Sequence, residues 1–426
     1  MTTHLTASDE SPAAVVTRYL VVADVAHQYS VAPTPDAPQI VAELAAQTGN
    51  EARALEYLRS EDTVTRNVSL FGPIGRTGTL APPPAPVGVW GPNEFTAAFF
   101  AYLREATGAW QEEHSSLRVD LSHLGPEMLL RTHTADAQPY TEVLMCARVR
   151  TSGVLFVRVA QFDHAHETPL SDLVAQAFEH STAMQDRVRM ESDGFVEYED
   201  GIEIEQKITL LDEASIWSLT KGMWAAVENG DFPGFITDPG YELTRWHLVQ
   251  HNFEVLAPAD KSGHYAFQQR PNGKYHLKMK TFPEDALRRK EAFRWDVDVP
   301  GADFEGYLAR EFPDLRFKKL PTFRRTRFDL NIQSVVTGHY FGIETDEVTI
   351  SHTGGRKLRQ VEIEYLKTRW HAGMDASSID AEMNRLTELL RTFIAKQGIG
   401  AERSFYSKLS FLRDSLDEQA TVRSGS

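Results

Sequence analysis

The spacing of apolar residues follows two patterns along the chain, and the change between them falls near Gly194. In the first part, apolar residues recur three or four positions apart at Val15, Tyr19 and Leu20, at Ile40 and Leu44, and at Ala52, Leu55 and Leu58, which predicts helices across residues 11–60. The run from Leu80 to Pro86 (LAPPPAP) can continue neither a helix nor a central strand and reads as a linker. Beyond it, Asn93 is placed to cap a helix carrying Phe95, Phe99, Phe100 and Leu103. Strand-like runs follow at 128–134, 142–150 and 154–162, the last two joined by the turn Thr151-Ser152-Gly153. A helix at about 170–189, with Leu173, Val174, Ala177 and Phe178, closes this part. The expectation is a helical segment over 1–80 and an α+β module over 87–193.

After Gly194 the pattern becomes period two. A strand is predicted at 202–211, then a helix through Trp217, Met223 and Ala226, then strands at 244–256, 264–270, 274–282, 287–298, 322–333, 340–350 and 358–370. About eight strands in this order suit a closed antiparallel barrel. A helix at 379–397 has Met383, Leu386, Leu390, Phe393 and Ile394 on one stripe and Gly398 as its stop. The predicted fold class is therefore α+β: an eight-stranded antiparallel β-tunnel with flanking helices over 195–415, preceded by a separate α+β domain.

Composition narrows the function. The 426 residues are 42% hydrophobic and 10% aromatic, enough for packed cores. A net charge of −16 argues against a surface that is basic throughout, so nucleic acid is not an expected partner. One cysteine, Cys146, excludes a disulfide within the chain and reads as a buried thiol. There is no signal-peptide layout at the N-terminus and no apolar run of spanning length, so a cytoplasmic protein without a membrane partner is expected. Asp163-His-Ala-His-Glu167 carries metal-friendly side chains but reads as an exposed loop, and Gly354-Gly355 reads as a hairpin turn.

The charged strands change the picture. Residues two apart on a strand share a face, so Glu203, Glu205 and Lys207 lie together while Ile202, Ile204, Ile208 and Leu210 face the other way. The same reading pairs Lys278 with Lys280, Arg289 with Glu291, Arg325 with Arg327, Glu344 with Asp346, and Glu362 with Glu364. One such strand is an ordinary solvated face; six in order are better explained as the lining of a charged lumen. Residues 261–330 hold 16 Lys and Arg against 10 Asp and Glu, the reverse of the whole-chain balance of 44 against 60. Clustered carboxylates repel unless a cation lies between them, and their hard oxygens suit Mg²⁺ or Mn²⁺. Clustered Lys and Arg in a confined space repel unless a polyanion neutralises them. A metal-chelated polyphosphate satisfies both.

Glu203-Ile-Glu-Gln-Lys207 matches the ExExK strand of the CYTH, or triphosphate tunnel metalloenzyme, superfamily, and the order of later elements resembles it too. Lys280 falls on the strand that is similar to the family's threonine-leucine-lysine strand, Arg289-Lys-Glu291 resembles its R-x-E strand, and Arg325-Thr-Arg327 its K-x-R strand. Glu344 and Asp346 resemble the acidic strand after it, Glu362-Ile-Glu364 the closing E-x-E strand, and Arg403–Leu409 the terminal S-Y-x-x-L segment. Two departures stand out. Gln268 occupies a position where the family's L-R-x-R strand has an arginine, and an insertion over 212–243, with Trp217, Trp224 and Phe232, either reshapes an entrance or packs as a helix.

The resemblance, which covers about residues 195–415, implies a tunnel acting on a triphosphate-bearing substrate with Mg²⁺ or Mn²⁺. It implies Glu203, Glu205, Glu344, Asp346, Glu362 and Glu364 as metal ligands. Lys207, Arg270, Lys278, Lys280, Arg289, Arg325 and Arg327 would bind phosphate, and Lys207, Glu205 and Glu364 would be catalytic. Glu291 is open between a place in the site and a structural pairing with Arg289. The implied activity is hydrolysis of inorganic triphosphate or a nucleoside or other organic triphosphate. Cyclisation of a nucleotide as in class IV adenylate cyclases, and non-catalytic sensing of polyphosphate or nucleotide, stay open as alternatives, as does a homodimer.

Overall fold

The structure, a computed structural model, describes residues 16–25, 38–47, 53–71, 77–91, 94–113, 121–122, 124–134, 138–189, 194–237, 243–281, 287–350 and 356–424. The chain divides into two compact units. The first comprises residues 1–196 with 335–338 and 369–374, and the second comprises 197–334, 339–368 and 375–426.

The first unit is built on one antiparallel sheet. Its main strands are β1 (Val16–Asp24), β2 (Gln39–Gln47), β3 (Leu55–Arg59), β4 (Val64–Phe71), β5 (Leu124–His133), β6 (Tyr140–Arg150) and β7 (Gly153–Asp163), in the order β3-β7-β6-β5-β1-β2-β4. Strands from both sides of the proline-rich segment thus join one sheet. Helix α1 (Ala97–Glu113) sets Phe99 and Leu103 against Leu20, Val22 and Leu129 on one face. Helix α2 (Leu170–Thr182) sets Val174 and Ala177 against Val21, Val41 and Met128 on the other.

This arrangement explains where the helical expectation for 11–60 fails. Leu20, Val21, Val22 and Ala23 are all buried because both faces of β1 are covered. A strand buried on both faces shows no alternation, and its apolar run can be mistaken for helical spacing. The hairpin of β6 and β7 matches its predicted position; helix α1 carries Phe99, Phe100 and Leu103 but starts at Ala97, after Thr96, whose hydroxyl accepts from Phe99 N, so that Phe95 lies in the short strand Glu94–Phe95 before it. Asn93 and the Gly354-Gly355 turn lie outside the described residues. The segment 163–167 is exposed at Asp163, Ala165, His166 and Glu167, whereas His164 is buried, with Nε2 3.0 Å from Thr141 Oγ1. Cys146 is half-buried.

In the second unit the alternation of charge and apolar side chains is legible strand by strand. The strands are β8 (Ile202–Leu210), β9 (Thr244–Ala257), β10 (Gly263–Gln269), β11 (Tyr275–Thr281), β12 (Arg288–Val297), β13 (Phe323–Ser334), β14 (His339–Ile350) and β15 (Lys357–Arg369). All pairings are antiparallel, in the order β15-β14-β13-β9-β10-β11-β12-β8. Strand β8 pairs with β12 over Ile202–Ile204 and with β15 over Glu205–Thr209, so the series of pairings returns to its start.

The apolar faces of these strands turn outward to helices. Helices α3 (Ile216–Glu228) and α5 (Ile379–Lys396) bury Leu219, Met223, Leu386 and Leu390 against Ile204, Ile208, Ile343 and Ile363. The insertion after β8 is thus a packing helix, begun by Ser215, whose hydroxyl accepts from Ser218 N at 3.2 Å. Helix α4 (Phe304–Glu311), capped by Asp303, lays Phe304, Tyr307 and Leu308 on Phe253, Phe267 and Leu277. Gly398, with φ +74°, ends α5 in the left-handed region, as its position after the stripe predicts.

Candidate functional site

With the apolar faces turned out, the polar faces line an internal cavity of about 580 Å³, its mouth included. Three neighbouring strands make an acidic arc, and their register sets like charges directly across from each other. Glu205 is opposite Glu364, and Glu344 is opposite Glu362. Such pairs are destabilising alone, so the cations that meet them decide whether the arc is tolerated.

Those cations come from β8 and the remaining strands. Lys280 donates to Glu203 at 2.7 Å, and Lys278 Nζ lies 3.6 Å from the same carboxylate while pairing with Glu291. Lys207 and Arg289 both donate to Glu205. Arg327 is bidentate on Asp346 at 2.7 Å through Nε and Nη2, reaches Glu362 at 2.8 Å, and pairs with Glu344. Arg325 stands 4.0 Å from Asp346. Glu291 forms a cross-strand pair with Lys278 in place of a same-strand pair with Arg289.

The electrostatics follow from burial and these neighbours. Burial alone would raise the Glu203, Asp346 and Glu362 carboxyls, but their cations outweigh it: Lys280 first for Glu203, Arg327 for Asp346 and Lys408 for Glu362 hold them below the usual range. Glu364 goes the other way, raised by burial and then by Glu203. Burial lowers the Lys207 ammonium, and burial with Lys280 beside it lowers Lys278 to about 8. Desolvation leads both shifts, and the nearby Lys280 ammonium adds to it against the opposing carboxylates.

Two features were not legible beforehand. Lys408, the first residue of helix α6 (Lys408–Ser424), reaches Glu362 at 2.7 Å and Asp346 at 2.8 Å. Ser407 accepts from Ser410 N at 3.0 Å to start the helix, and Leu409, Phe411 and Leu412 pack on Phe323, Val348 and Leu358. Those residues share strand faces with Arg325, Asp346 and Glu362, so α6 fills that end of the curled sheet. The signal in the sequence was a lysine beside Leu409 in a segment already resembling a family motif.

The second is an uncharged wall. Gln268 donates to Gln250 at 3.0 Å, Gln250 donates to Asn252 Oδ1 at 2.8 Å, and His264 Nε2 lies 3.0 Å from that same oxygen. Gln268 thus sits in an amide network where an arginine was expected. Arg270 falls in the turn after β10, 41% exposed, beside His276 and 3.8 Å from Asp296; it does not line the cavity.

Glu203, Glu291 and Glu364 offer three carboxylate oxygens within 4.8 Å of one another. This donor set and spacing fit a hard divalent cation that keeps some of its water. Glu205, Glu344, Asp346 and Glu362 are engaged with Lys and Arg side chains, as Glu203 and Glu291 are with Lys280 and Lys278.

No family model matches the chain, and no curated protein does. Among solved structures, the chain is similar to a Hippeastrum protein described as a candidate adenylyl cyclase with a dominant triphosphatase activity. Identity is 20% over 50% of this chain and 95% of that one, with a TM-score of 0.28. It is also similar to an RNA triphosphatase from S. pombe, at 9% identity over 53% of this chain and 88% of that one, with a TM-score of 0.19. Likenesses at this level carry no functional weight. No helix among the described residues is long and apolar enough to cross a membrane.

Proposed function

We propose that the eight strands of the second unit enclose a tunnel that binds a triphosphate with a divalent metal ion and hydrolyses its terminal anhydride. The observation that supports this reading is the cavity in which Lys207, Lys278, Lys280, Arg289, Arg325 and Arg327 face the carboxylates of Glu203, Glu205, Glu344 and Glu362. A small molecule that is both polyanionic and metal-chelating is complementary to both halves.

In this reading Lys207, Lys280, Arg289, Arg325 and Arg327 exchange some of their bonds to carboxylates for bonds to phosphate oxygens. They then stabilise the charge that develops on the transferring phosphoryl group, an effect of position and field. Glu203, Glu291 and Glu364 would hold Mg²⁺ or Mn²⁺, with Glu205, Glu344, Asp346 and Glu362 as further oxygen ligands. When bound, such an ion neutralises phosphate charge and acidifies water. Glu364 would take the proton of the attacking water on a carboxylate oxygen that does not hold the ion, as the new P–O bond forms. The bridging P–O bond breaks, and Lys207 donates a hydrogen bond to the departing diphosphate oxygen.

The test is product analysis of the full chain with Mg²⁺ or Mn²⁺ and either tripolyphosphate or ATP. Orthophosphate release supports hydrolysis. Cyclic nucleotide with diphosphate would mark a cyclase, and tight binding without turnover a sensor. If Glu203→Ala and Lys207→Ala change neither binding nor turnover, the tunnel is not the site.

A further inference from the structure

The end of the curled sheet away from α6 carries a feature that phosphate chemistry leaves unused. Strand β12 sends Arg289 and Glu291 into the charged interior, and the same face continues outward through Phe293 and Trp295. These two rings stack, with centroids 5.3 Å apart and planes at 21°. They are 42% and 63% exposed, an unusual state for large aromatic side chains on a strand. The exposure has a local cause. Between the pairs Tyr275↔Val297 and Leu277↔Arg294, Trp295 and Asp296 together oppose His276, and Asp296 has φ +53°. A bulge of this kind re-aims a side chain at a strand end.

The shelf is continuous with the charged site. Phe293 and Trp295 border an open pocket that also contains Glu203, Glu291 and Glu364, and Glu203 lines the inner cavity as well. Lys278 Nζ, which pairs with Glu291, lies 5.1 Å from the centre of the Phe293 ring. His276 meets Trp295 edge-on at 4.0 Å and accepts from Arg270. From Glu291 to Trp295 is roughly 13 Å along the strand, on the order of the reach from a triphosphate through a sugar to a base. Leu409, Phe411 and Leu412 pack at the α6 end of the sheet, so a substituent that leaves a phosphate chain at the opposite end would meet this shelf.

We infer that Trp295 and Phe293 form a stacking platform for a planar aromatic ring joined to the triphosphate, so that the site prefers a nucleoside triphosphate over inorganic triphosphate. The inference rests on the tunnel as the triphosphate site. An exposed indole binds a base through stacking without reading its donors and acceptors, so purine and pyrimidine nucleotides both bind, the purines more tightly.

The test compares wild type, Trp295→Ala and Trp295→Phe by calorimetric titration with ATP and with tripolyphosphate, both with Mg²⁺. Turnover and light scattering are measured alongside. Because Trp295 is exposed, the substitution leaves the fold intact, as circular dichroism will check. The expected result is that Trp295→Ala lowers the affinity for ATP relative to tripolyphosphate about tenfold, and that Trp295→Phe restores most of it. An unchanged ratio overturns the platform, as does wild type that fails to bind ATP. So does a dimer that Trp295→Ala dissolves without altering ATP binding, which would make the shelf a contact between copies. A selective loss of ATP affinity without hydrolysis of either compound keeps the platform and removes the hydrolase reading instead.

Discussion

Arg327 grips Asp346 with two parallel hydrogen bonds of 2.7 Å, and the same guanidinium reaches Glu362 and Glu344. A planar fork is what lets one cation serve three carboxylates on two strands. Arg327 is raised well above its ordinary pKa by Asp346 and Glu344 against the effect of burial, so it stays charged throughout. Arg327→Ala should destabilise the second unit by about 3–5 kcal/mol, because it leaves buried acidic groups uncompensated. Arg327→Lys should recover only part of this, having one point charge in place of the fork. Thermal unfolding of both variants checks the order, and equal stability of Arg327→Ala and wild type would show that the cluster does not depend on this residue.

Glu291 joins Glu203 and Glu364 in space although it lies on the basic strand. Glu291→Gln and Glu364→Gln should each weaken Mn²⁺ binding more than tenfold while leaving the unfolding temperature nearly unchanged. Isothermal titration with Mn²⁺ alone reads this directly. If Glu291→Gln binds Mn²⁺ as wild type does, the ion is held deeper, by Glu205 or Glu362.

How far the sequence reveals this site depends on which faces are covered. Strands β8 to β15 have one apolar face under helices and one polar face inward, so period two is plain in Ile204, Ile208, Glu203, Glu205 and Lys207. Strand β1 has helices over both faces, and the buried run Leu20–Ala23 carries no phase. Short elements such as α4 and the strand Arg316–Lys319 lack the length for a periodic signal. Side-chain partners are less legible still. Alternation places Glu291 on the face of Arg289, but only the register of β11 against β12 brings Lys278 to it. Arg270 fails to reach the cavity because β10 ends at Gln269 and the turn begins.

Lys408 is the residue whose place depends most on tertiary structure, since α6 must dock before its ammonium meets Asp346 and Glu362. Burial lowers its pKa, and Asp346 and Glu362 oppose that shift. Lys408→Met keeps the stem and removes the charge. It should weaken tripolyphosphate binding about tenfold, or 1.4 kcal/mol, with a rise in KM larger than the fall in kcat. A change in kcat alone would place Lys408 outside the anion's reach and assign it to holding the acidic pair.

His264 gives the site a pH signature of its own. Its Nε2 faces Asn252 Oδ1, an atom that can only accept, so Nε2 carries a proton. Burial, then Lys280, Lys408 and Lys278, lowers its pKa from 6.5 to about 3. Between those values the unfolded chain takes up a proton that the folded chain refuses, so stability is full above pH 6.5 and declines as the pH falls. At pH 5 the cost is about 2 kcal/mol, from 1.36 kcal/mol per unit. The lowered carboxylates Glu203, Asp346 and Glu362 lose their contribution only as the pH falls below their ordinary values near 4, outside this window. His251, His276 and His371 are also lowered and keep a residual slope of the same sign. Over the same interval Glu344 and Glu127, each raised to about 8 chiefly by burial, and Glu364, also raised, take up protons in the folded chain and oppose this slope. The His264 share is therefore read by difference: in urea unfolding between pH 7.5 and 5, the change in stability of His264→Gln should differ from that of wild type by about 2 kcal/mol, wild type being the more disfavoured at low pH. An identical slope in the variant would mean that the ring already titrates normally in the folded chain, and that the amide wall around it is open to water.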